Sequence, residues 1–325
     1  MNDYSPEFFD PTNQKIKITL TDINDAIEND KILEFKVAEC TPDRTLKMNF
    51  DNNVTGIIPF SELEYNLYKK ELHEKTALFK VGKHIKFKVM SVEDKDGISI
   101  VTCSRRLAQK ECYDNYISKL IPGDVINAKI INFEKYGLFC DIGCGIPSLL
   151  PFGHISVVNT KNPELLLHNK ENIRVVVRTT IGKIVLSHRE LLGTWEQEAS
   201  KLHRDQIIHG IVVNKQPYGT FVKVSQNLSG LADSNNSLDN ISVGDYVKVQ
   251  VTSINIKGMK VKLSILSKDD EEQDDEEFNY YYEPGDHIEK WKYTTDDYHK
   301  VIGTDFTRTN TDMVEYMNNR SKHGK

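Results

Sequence analysis

The sequence predicts a mainly β fold, with three tandem five-stranded barrels joined by helical linkers and followed by an acidic C-terminal tail. Three observations support this fold class. Short segments recur three times along the chain in the same order, and each copy contains short alternating runs rich in Val and Ile. The stretches between the copies have apolar residues near helical spacing.

The recurring segments define the three copies. The clearest matches are residues 81–89 (VGKHIKFKV) with 243–251 (VGDYVKVQV), residues 136–139 (YGLF) with 218–221 (YGTF), and residues 183–187 (KIVLS) with 260–264 (KVKLS). Because their order is preserved, we place copies one, two and three at residues 30–106, 121–189 and 206–268.

Each copy is built from short strand candidates. In copy two they are residues 125–132, 137–142, 172–178 and 183–187, and in copy three residues 207–214, 219–224, 228–232, 246–254 and 260–264. Five short strands in so small a copy cannot form a good sandwich. A closed five-stranded barrel protects its edges better, which indicates the OB-fold.

Helical patterns and charge define the other segments. Residues 104–120 and 188–202 favour helices, so we assign residues 107–120 and 190–205 as helical linkers between the copies. Residues 62–73 predict a further helix inside copy one. Two terminal segments remain, namely residues 1–29 before copy one and residues 269–325, an acidic linker and tail with aromatic residues but no clear period.

The charge distribution matters more than the net charge of −6. Residues 269–277 alone carry eight negative charges, and the rest of the chain has a net charge of +2. Residues 121–268 contain 17 Lys and Arg against 12 Asp and Glu. A mildly basic middle is therefore followed by an acidic segment, and the whole-chain charge hides both.

Composition excludes several classes of protein. No run approaches the roughly 18 uncharged apolar residues that a membrane-spanning helix needs, and residues 1–10 lack the pattern of a signal peptide. The five cysteines are odd in number, and their spacing fits neither a disulfide framework nor a zinc site. We therefore expect a cytoplasmic protein with reduced thiols, no membrane partner and a monomeric state.

The strand after each Tyr-Gly pair carries an aromatic side chain that alternation places towards solvent. In copy two, Leu138 and Cys140 fall on one face, and Phe139 falls on the other with Asp141, which should not be buried. Copy three repeats this pattern, with Phe221 and Lys223 on the solvent side. A bulge at the preceding glycines, Gly137 and Gly219, would turn Tyr136 and Tyr218 to the same exposed side.

Exposed aromatic pairs with nearby cations suit single-stranded nucleic acid. Unpaired bases stack on such rings, and basic side chains can follow the phosphate backbone. The basic candidates are Lys135, Arg178 and Lys183 in copy two, and Lys215, Lys223, Lys257 and Lys260 in copy three. The alternatives are that the rings pack under a loop or against a neighbouring barrel, and that the lysines only solvate the surface.

Copies two and three resemble the S1 RNA-binding domain, the repeated OB-fold of bacterial ribosomal protein S1. The segments that carry the resemblance in copy two are GDV at 123–125, YGLFCDI at 136–142, SLLP at 148–151 and KIVLS at 183–187. In copy three they are GIV at 210–212, YGTFV at 218–222, GL at 230–231, residues 243–251 and residues 260–264. Copy one is similar through residues 55–63 and 81–89, and the whole is similar to short bacterial S1-type proteins.

The resemblance implies which residues face RNA. Family members use two aromatic residues, a histidine after the third strand and a basic residue opening the last strand. The matching aromatic and basic residues are Tyr136, Phe139 and Lys183 in copy two, and Tyr218, Phe221 and Lys260 in copy three. The histidine position holds Pro151 and Asp233, and His154 comes three residues later.

Copy one departs further from the family. Residues 41–46 (TPDRTL) replace its aromatic strand, so we expect copy one to bind RNA weakly. In long ribosomal S1 proteins the leading domains serve largely to dock on the ribosome, and copy one is expected to act similarly.

Catalytic and metal signals are weak, so the sequence indicates a protein that is not an enzyme and needs no cofactor. The Gly143–Gly145 segment is too short for a phosphate-binding loop, and Cys140 and Cys144 have no second thiol pair that would complete a zinc site. The histidines His154, His168 and His188 lack a recognisable arrangement of nucleophile and carboxylate.

The leading hypothesis is non-catalytic binding of single-stranded RNA or mRNA by copies two and three, in translation on the small (30S) ribosomal subunit. The predicted contacts are Tyr136, Phe139, Arg178, Lys183, Tyr218, Phe221, Lys223 and Lys260. The alternatives are a protein-interaction module that docks on the ribosome or an RNA-processing complex, and an accessory subunit of an RNA-processing enzyme. The acidic run either keeps the tail solvated or competes with RNA for the basic faces.

Overall fold

The structure, a computed structural model, describes residues 3–10, 12, 15–65, 73, 75–167, 171–233, 240–269 and 277–307. In these ranges three successive β-sheets carry the fold, and two of them close into five-stranded barrels. The predicted mainly β class with tandem OB-fold domains is confirmed. None of the helices in the described ranges is long and apolar enough to span a bilayer.

The chain divides into two compact units. One consists of Met1–Leu120, Asn127–Ile131 and Cys140–Pro147, and the other of Ile121–Ile126, Asn132–Phe139 and Ser148–Lys325.

The first sheet has six strands because its first strand is interrupted. The strands are β1 (Leu33–Lys36), β2 (Glu39–Cys40), β3 (Leu46–Asp51), β4 (Val54–Ile58), β5 (His84–Lys95) and β6 (Ile98–Ser104), in the order β1-β5-β6-β4-β3-β2. Between β1 and β2, the Val37 N–H donates to the Lys83 carbonyl at 2.9 Å and the Ala38 N–H donates to the Lys47 carbonyl at 2.8 Å. The stretch from β1 to β2 therefore contacts both edges of the sheet, as the first strand of an OB-fold does.

Helices flank the first sheet. Helix α1 (Leu20–Glu28) begins after Thr19, whose side chain accepts the Asp22 N–H in a capping box. A short helix α2 covers Lys75–Leu78. The helix predicted over residues 104–120 is confirmed as α3 (Arg105–Asn115) and a 3₁₀ turn over Ile117–Lys119. The helix predicted over residues 62–73 lies mostly outside the described residues.

The second barrel closes in the order β10-β11-β9-β8-β7. Its strands are β7 (Val125–Glu134), β8 (Gly137–Asp141), β9 (Pro147–Pro151), β10 (Asn172–Thr179) and β11 (Val185–Ser187). The last strand pairs in parallel with β9 through Val185 and Leu149. This parallel contact closes the barrel, and the predicted strands of copy two are confirmed.

The third barrel repeats the same strand order, β12-β13-β14-β16-β15. Its strands are β12 (Ile207–Gln216), β13 (Gly219–Ser225), β14 (Leu228–Asp233), β15 (Tyr246–Asn255) and β16 (Lys260–Lys268), which confirms the five strands predicted for copy three. The bulge predicted at Gly219 is wrong. Gly219 pairs regularly with Gln216, and the register shift lies on β12 between Val212 and Asn214.

The linker between the second and third barrels is less helical than predicted. Instead of a helix over residues 188–202 there is a 3₁₀ turn over Arg189–Leu191 and a short helix α4 (Trp195–Ala199). Gly193 separates them at a φ of 89°, a left-handed conformation that favours glycine. Thr194 then caps α4 by accepting the Gln197 N–H.

Residues 277–307, here called the C-terminal segment, form part of unit two. The segment contains a two-stranded sheet of β17 (Lys290–Lys292) and β18 (Gly303–Asp305). It buries four large side chains, those of Ile288, Trp291, Tyr293 and Phe306. The acidic residues 270–276 and the tail from residue 308 lie outside the described residues.

The expectation that Asp141 is exposed is wrong, since only 3% of it is accessible. Its carboxylate accepts the backbone N–H groups of Glu7 at 2.6 Å, Gly143 at 2.8 Å and Gly145 at 2.9 Å. Burial raises the pKa of Asp141 to about 7, and the charge of Glu7 adds to this effect. The three donors offset part of the free-energy cost of burying the carboxylate. Asp141 therefore stabilises a turn and does not form part of the solvent-exposed surface.

Candidate nucleic-acid interface

In the second barrel, Tyr136 and Phe139 form an edge-to-face aromatic pair. Their ring centroids are 6.5 Å apart and the ring planes meet at 84°. Tyr136 is 58% exposed, and Phe139 is partly buried on β8. The pair therefore has an apolar base and at least one ring that is open to water.

Tyr218 and Phe221 repeat this arrangement in the third barrel. Their centroids are 6.2 Å apart, the interplanar angle is 89°, and Tyr218 is 62% exposed. Phe221, like Phe139, is partly buried. The same pair geometry thus recurs at the same place in two barrels, and neither tyrosine is sealed inside the protein.

A tight hairpin turn places each tyrosine at the edge of its barrel. Tyr136 and Tyr218 lie in turns, and the next residue, Gly137 or Gly219, begins the strand. A Cβ atom at Gly137 would lie 2.5 Å from the Leu150 carbonyl oxygen, and one at Gly219 would lie 2.5 Å from the Ala232 carbonyl oxygen. Glycine is therefore required by close backbone approach, which is the physical basis of the Tyr-Gly repeat.

The predicted basic residues fall into two groups. Lys183, just before β11, and Lys260, the first residue of β16, are exposed. Lys223 is only 5% exposed, so its expected solvent-facing position on β13 is wrong. Its charge instead lies near His188 and helps to lower the pKa of that imidazole.

Arg178 lies on β10 and is held by the C-terminal segment. Its Nη1 donates to the Thr304 hydroxyl at 3.3 Å and lies 3.8 Å from the buried Glu190 carboxylate. Thr304 in turn donates to Glu190 Oε1 at 2.7 Å. Any contact of Arg178 with a nucleic acid would therefore start from a side chain that is already oriented by two partners.

His154 is a residue of this region that the sequence reasoning set aside. Its Nδ1 lies 3.4 Å from the Ser187 hydroxyl. Burial, followed by the charges of Arg178 and Arg189, lowers the pKa of His154 to about 3. A neutral imidazole beside two guanidinium groups can donate or accept a hydrogen bond. The sequence feature that could have pointed to His154 is the His-Ile-Ser segment that follows β9.

The first sheet and its flanking helices, here called the first β-domain, have a different surface at the turn between β2 and β3, which corresponds to the Tyr-Gly turns of the barrels. Arg44 adopts a φ of 68° there, and its guanidinium lies over the Phe60 ring at 5.6 Å from the centroid. Asp43 accepts hydrogen bonds from the Thr41 and Thr45 hydroxyls and fixes the loop. In the described part of this domain the turn thus presents a cation and a carboxylate where the other barrels present an aromatic pair.

No metal centre is visible among the residues that the structure describes, where no three His, Cys, Asp or Glu side chains cluster. The five cysteines are free thiols. Burial raises the pKa of Cys103 and, with a smaller effect from Asp141, that of Cys140. These thiols are poor nucleophiles and act as small apolar core residues.

His188 forms a hydrogen-bond relay between the second barrel and the C-terminal segment. Its Nδ1 lies 2.9 Å from the Ile155 carbonyl and must donate, since a carbonyl only accepts. Its Nε2 therefore accepts from the Tyr280 hydroxyl at 3.1 Å, and that hydroxyl accepts the Arg174 N–H at 3.2 Å. This relay requires the neutral imidazole, and burial lowers the pKa of His188 to about 4.

We expect acid to destabilise the protein through His188. An unfolded histidine takes up a proton near pH 6.5, whereas the folded one resists until about pH 4, so stability falls as the pH falls through this window. The free energy of unfolding should drop by about 2 kcal/mol between pH 7 and pH 5 from this group alone. Urea titrations of the wild type and His188→Gln measure this. A pH dependence that is as steep in the variant would contradict the assignment.

Comparison with curated proteins finds similarity to the small ribosomal subunit protein bS1. No family model matches the chain. The chain is 24% identical over 259 residues to the small ribosomal subunit protein bS1 of Staphylococcus aureus, and 25% identical over 260 residues to bS1 of Staphylococcus epidermidis. Both alignments cover 75% of this chain and 63% of the relative, so the chain spans less than two thirds of the length of these curated relatives.

Solved structures give weaker similarities. A multidomain protein with nucleic acid binding domains from Streptococcus pneumoniae is 14% identical, covers 73% of each chain and superposes with a TM-score of 0.25. GSP13 from Bacillus subtilis is 24% identical over 22% of this chain and 66% of its own, with a TM-score of 0.20. Scores this low carry no weight for function. The similarity to bS1, together with the repeated barrels and their matched aromatic turns, supports an S1-like protein.

Proposed function

We propose that this protein binds single-stranded RNA without catalysis, through the aromatic pairs of its second and third barrels. The observation that carries the proposal is the repetition of one exposed edge-to-face Tyr–Phe pair in two barrels, at 6.5 Å in one and 6.2 Å in the other. An unpaired base stacks on such a ring and gains about 1–3 kcal/mol, irrespective of its identity.

Each barrel with an aromatic pair also has an exposed lysine at its last strand. Lys183 lies just before β11 and Lys260 is the first residue of β16, and both are exposed. We propose that they neutralise phosphates, and that Arg178 contributes from its fixed position beside Thr304. Lys223 is buried, so within this proposal its role is to support β13 and not to reach a phosphate.

The similarity to bS1 supports a ribosomal setting for this binding. The curated relatives are small ribosomal subunit proteins, so we propose that this RNA is mRNA at the small subunit in the cytoplasm. Stacking reads little sequence information, which suits a protein that must accept many transcripts.

A second candidate function is protein docking by the first β-domain. Leu78, Phe79 and Val81 are 59%, 67% and 39% exposed, and they lie close together in the chain, with Lys80 between the last two, just before β5. Such an exposed apolar stretch favours a protein contact. In this case the aromatic pairs would also fill protein interfaces.

Fluorescence anisotropy with a labelled, unstructured RNA of about 20 nucleotides separates the two candidates. RNA binding predicts saturable binding at low salt. Absence of binding below about 100 μM protein at about 50 mM salt would favour docking, since even non-specific electrostatic contact should register there.

Salt should weaken this binding in proportion to the phosphates neutralised. Each phosphate contributes a slope of about −0.7 in a plot of log affinity against log salt concentration. We therefore expect Lys183→Gln with Lys260→Gln to flatten the slope by about 1.4 units. The control is Lys95→Gln, which removes an exposed lysine from the β5–β6 hairpin of the first domain. An unchanged slope in the double variant would exclude these two lysines as phosphate contacts.

A further inference from the structure

We infer that Asn227 is a positioning residue that fixes the second and third barrels relative to each other. A single RNA strand can then contact both aromatic pairs at once. The inference rests on the proposed function and extends it from two separate sites to one composite site. Asn227 lies in the turn between β13 and β14 of the third barrel and is completely buried.

The Asn227 side chain is hydrogen-bonded entirely to residues outside its own barrel. Its Oδ1 accepts the Val157 N–H and the Ser156 hydroxyl of the second barrel, each at 3.0 Å. Its Nδ2 donates to the carbonyls of Arg189 and Gly193 in the linker, each at 2.9 Å. An amide can donate two hydrogen bonds and accept two, and here the oxygen is directed at the second barrel and the nitrogen at the linker.

The C-terminal segment also contacts the region where Asn227 meets the second barrel and the linker, here called the joint. The Tyr293 hydroxyl donates to the Asn227 carbonyl at 2.6 Å, and the Tyr293 carbonyl accepts the Trp195 N–H at 3.1 Å. On the second barrel, the Val125 N–H donates to the Asp286 carbonyl at 2.9 Å. The segment is therefore bonded to the second barrel, the linker and the third barrel.

One hydrophobic core runs through the joint. The same buried cluster contains residues of the second barrel, the linker, the third barrel and the C-terminal segment, among them Val125, Val176, Leu191, Trp195, Val212, Leu228, Ile288 and Trp291. Two barrels that share a core cannot reorient freely, because doing so would expose that apolar surface to water.

Rigid coupling changes how the barrels bind a polymer. When one barrel holds a strand, the second binding event becomes intramolecular, and its effective concentration depends on the geometry of the connection. A fixed geometry avoids the entropy that a flexible connection would lose on binding. Asn227 is therefore expected to influence the affinity for RNA long enough to reach both pairs, and not the affinity of each pair.

The test is the dependence of affinity on RNA length. For the full chain, anisotropy with oligonucleotides of about 6 and about 20 nucleotides should give an affinity at least 100-fold higher for the longer one. In Asn227→Ala we expect that ratio to fall about tenfold while the affinity for the short oligonucleotide is unchanged. The matched control is Asn255→Ala, which removes an asparagine whose side chain accepts the Gly258 N–H at 2.8 Å within its own β15–β16 turn. It should leave the ratio unchanged.

The outcomes separate the inference from the proposed function. If folded Asn227→Ala keeps the wild-type affinity ratio, the positioning role of Asn227 is wrong, but the proposed RNA binding is unaffected. If the wild type binds neither oligonucleotide, the proposed RNA binding itself is wrong. If Asn227→Ala does not fold, Tyr293→Phe removes one bond of the joint and should reduce the ratio about threefold. An unchanged ratio in that variant also contradicts the positioning role of Asn227.

Discussion

Replacing Phe139 and Phe221 with Ala should lower the affinity for single-stranded RNA at least 30-fold. Each ring forms the inner member of an edge-to-face pair and can support one stacked base. Loss of two stacks costs about 2–6 kcal/mol, and about 2 kcal/mol already corresponds to a factor near 30. Anisotropy titrations at fixed low salt measure the change.

Two further variants separate stacking from folding. Phe139 and Phe221 are partly buried, so alanine also removes apolar contacts. Leucine at both positions keeps much of that apolar volume and removes the aromatic face, and it should weaken binding nearly as much as alanine. Phe79→Ala, which removes a ring that is 67% exposed in the first domain, should leave RNA affinity unchanged. Wild-type affinity in the leucine double variant would refute stacking at these rings.

The structure of the repeated Tyr-Gly-X-Phe segment could be predicted from the sequence because it depends on local contacts. The glycine is required by a backbone contact of 2.5 Å in each barrel, and the hairpin turn then leaves the tyrosine at the edge. Strand alternation correctly placed Leu138 and Val222 inside the barrels, since both are fully buried. Repeated segments, period-two patterns and turn residues therefore predicted most strands of the barrels and the position of the aromatic residues, whereas β9 (Pro147–Pro151) was not among the predicted strands.

Alternation failed where a polar side chain finds partners from distant parts of the chain. Asp141 is buried because Glu7, 134 residues away, supplies one of its three N–H donors. Arg178 is fixed by Thr304, 126 residues away. The C-terminal segment shows no period because its side chains fit a surface that other elements form, and Asn227 has no local signature at all. Such contacts depend on tertiary structure, so sequence pattern alone could not predict them.

The largest effect on stability should come from Arg105. Its guanidinium is completely buried, with Nε 2.7 Å from Glu7 Oε1 and Nη1 2.6 Å from Glu64 Oε2. Further bonds reach the carbonyls of Leu63 and Gly145, each at 3.3 Å. Burial by itself would raise the pKa of Glu7 and of Glu64, but the charges of Arg105 and Lys80, together with hydrogen bonds that include those from Arg105, lower both.

Arg105→Met should therefore lower the free energy of unfolding by about 3–5 kcal/mol, because it removes the completely buried cation that Glu7 and Glu64 share, with Lys80 remaining 3.3 Å from Glu64 Oε1. Urea denaturation at neutral pH measures this loss. Adding Glu7→Gln and Glu64→Gln to Arg105→Met should restore part of the stability, since neutral amides cost less to bury than unpaired charges. A loss of unfolding free energy below about 1 kcal/mol is the range of surface ion pairs. Such a result would contradict the stabilising role that we infer from the complete burial of Arg105. Because Arg105 is bonded within unit one, RNA binding by Tyr218 and Phe221 should survive in the folded fraction of the variant, which separates this structural role from the proposed interface.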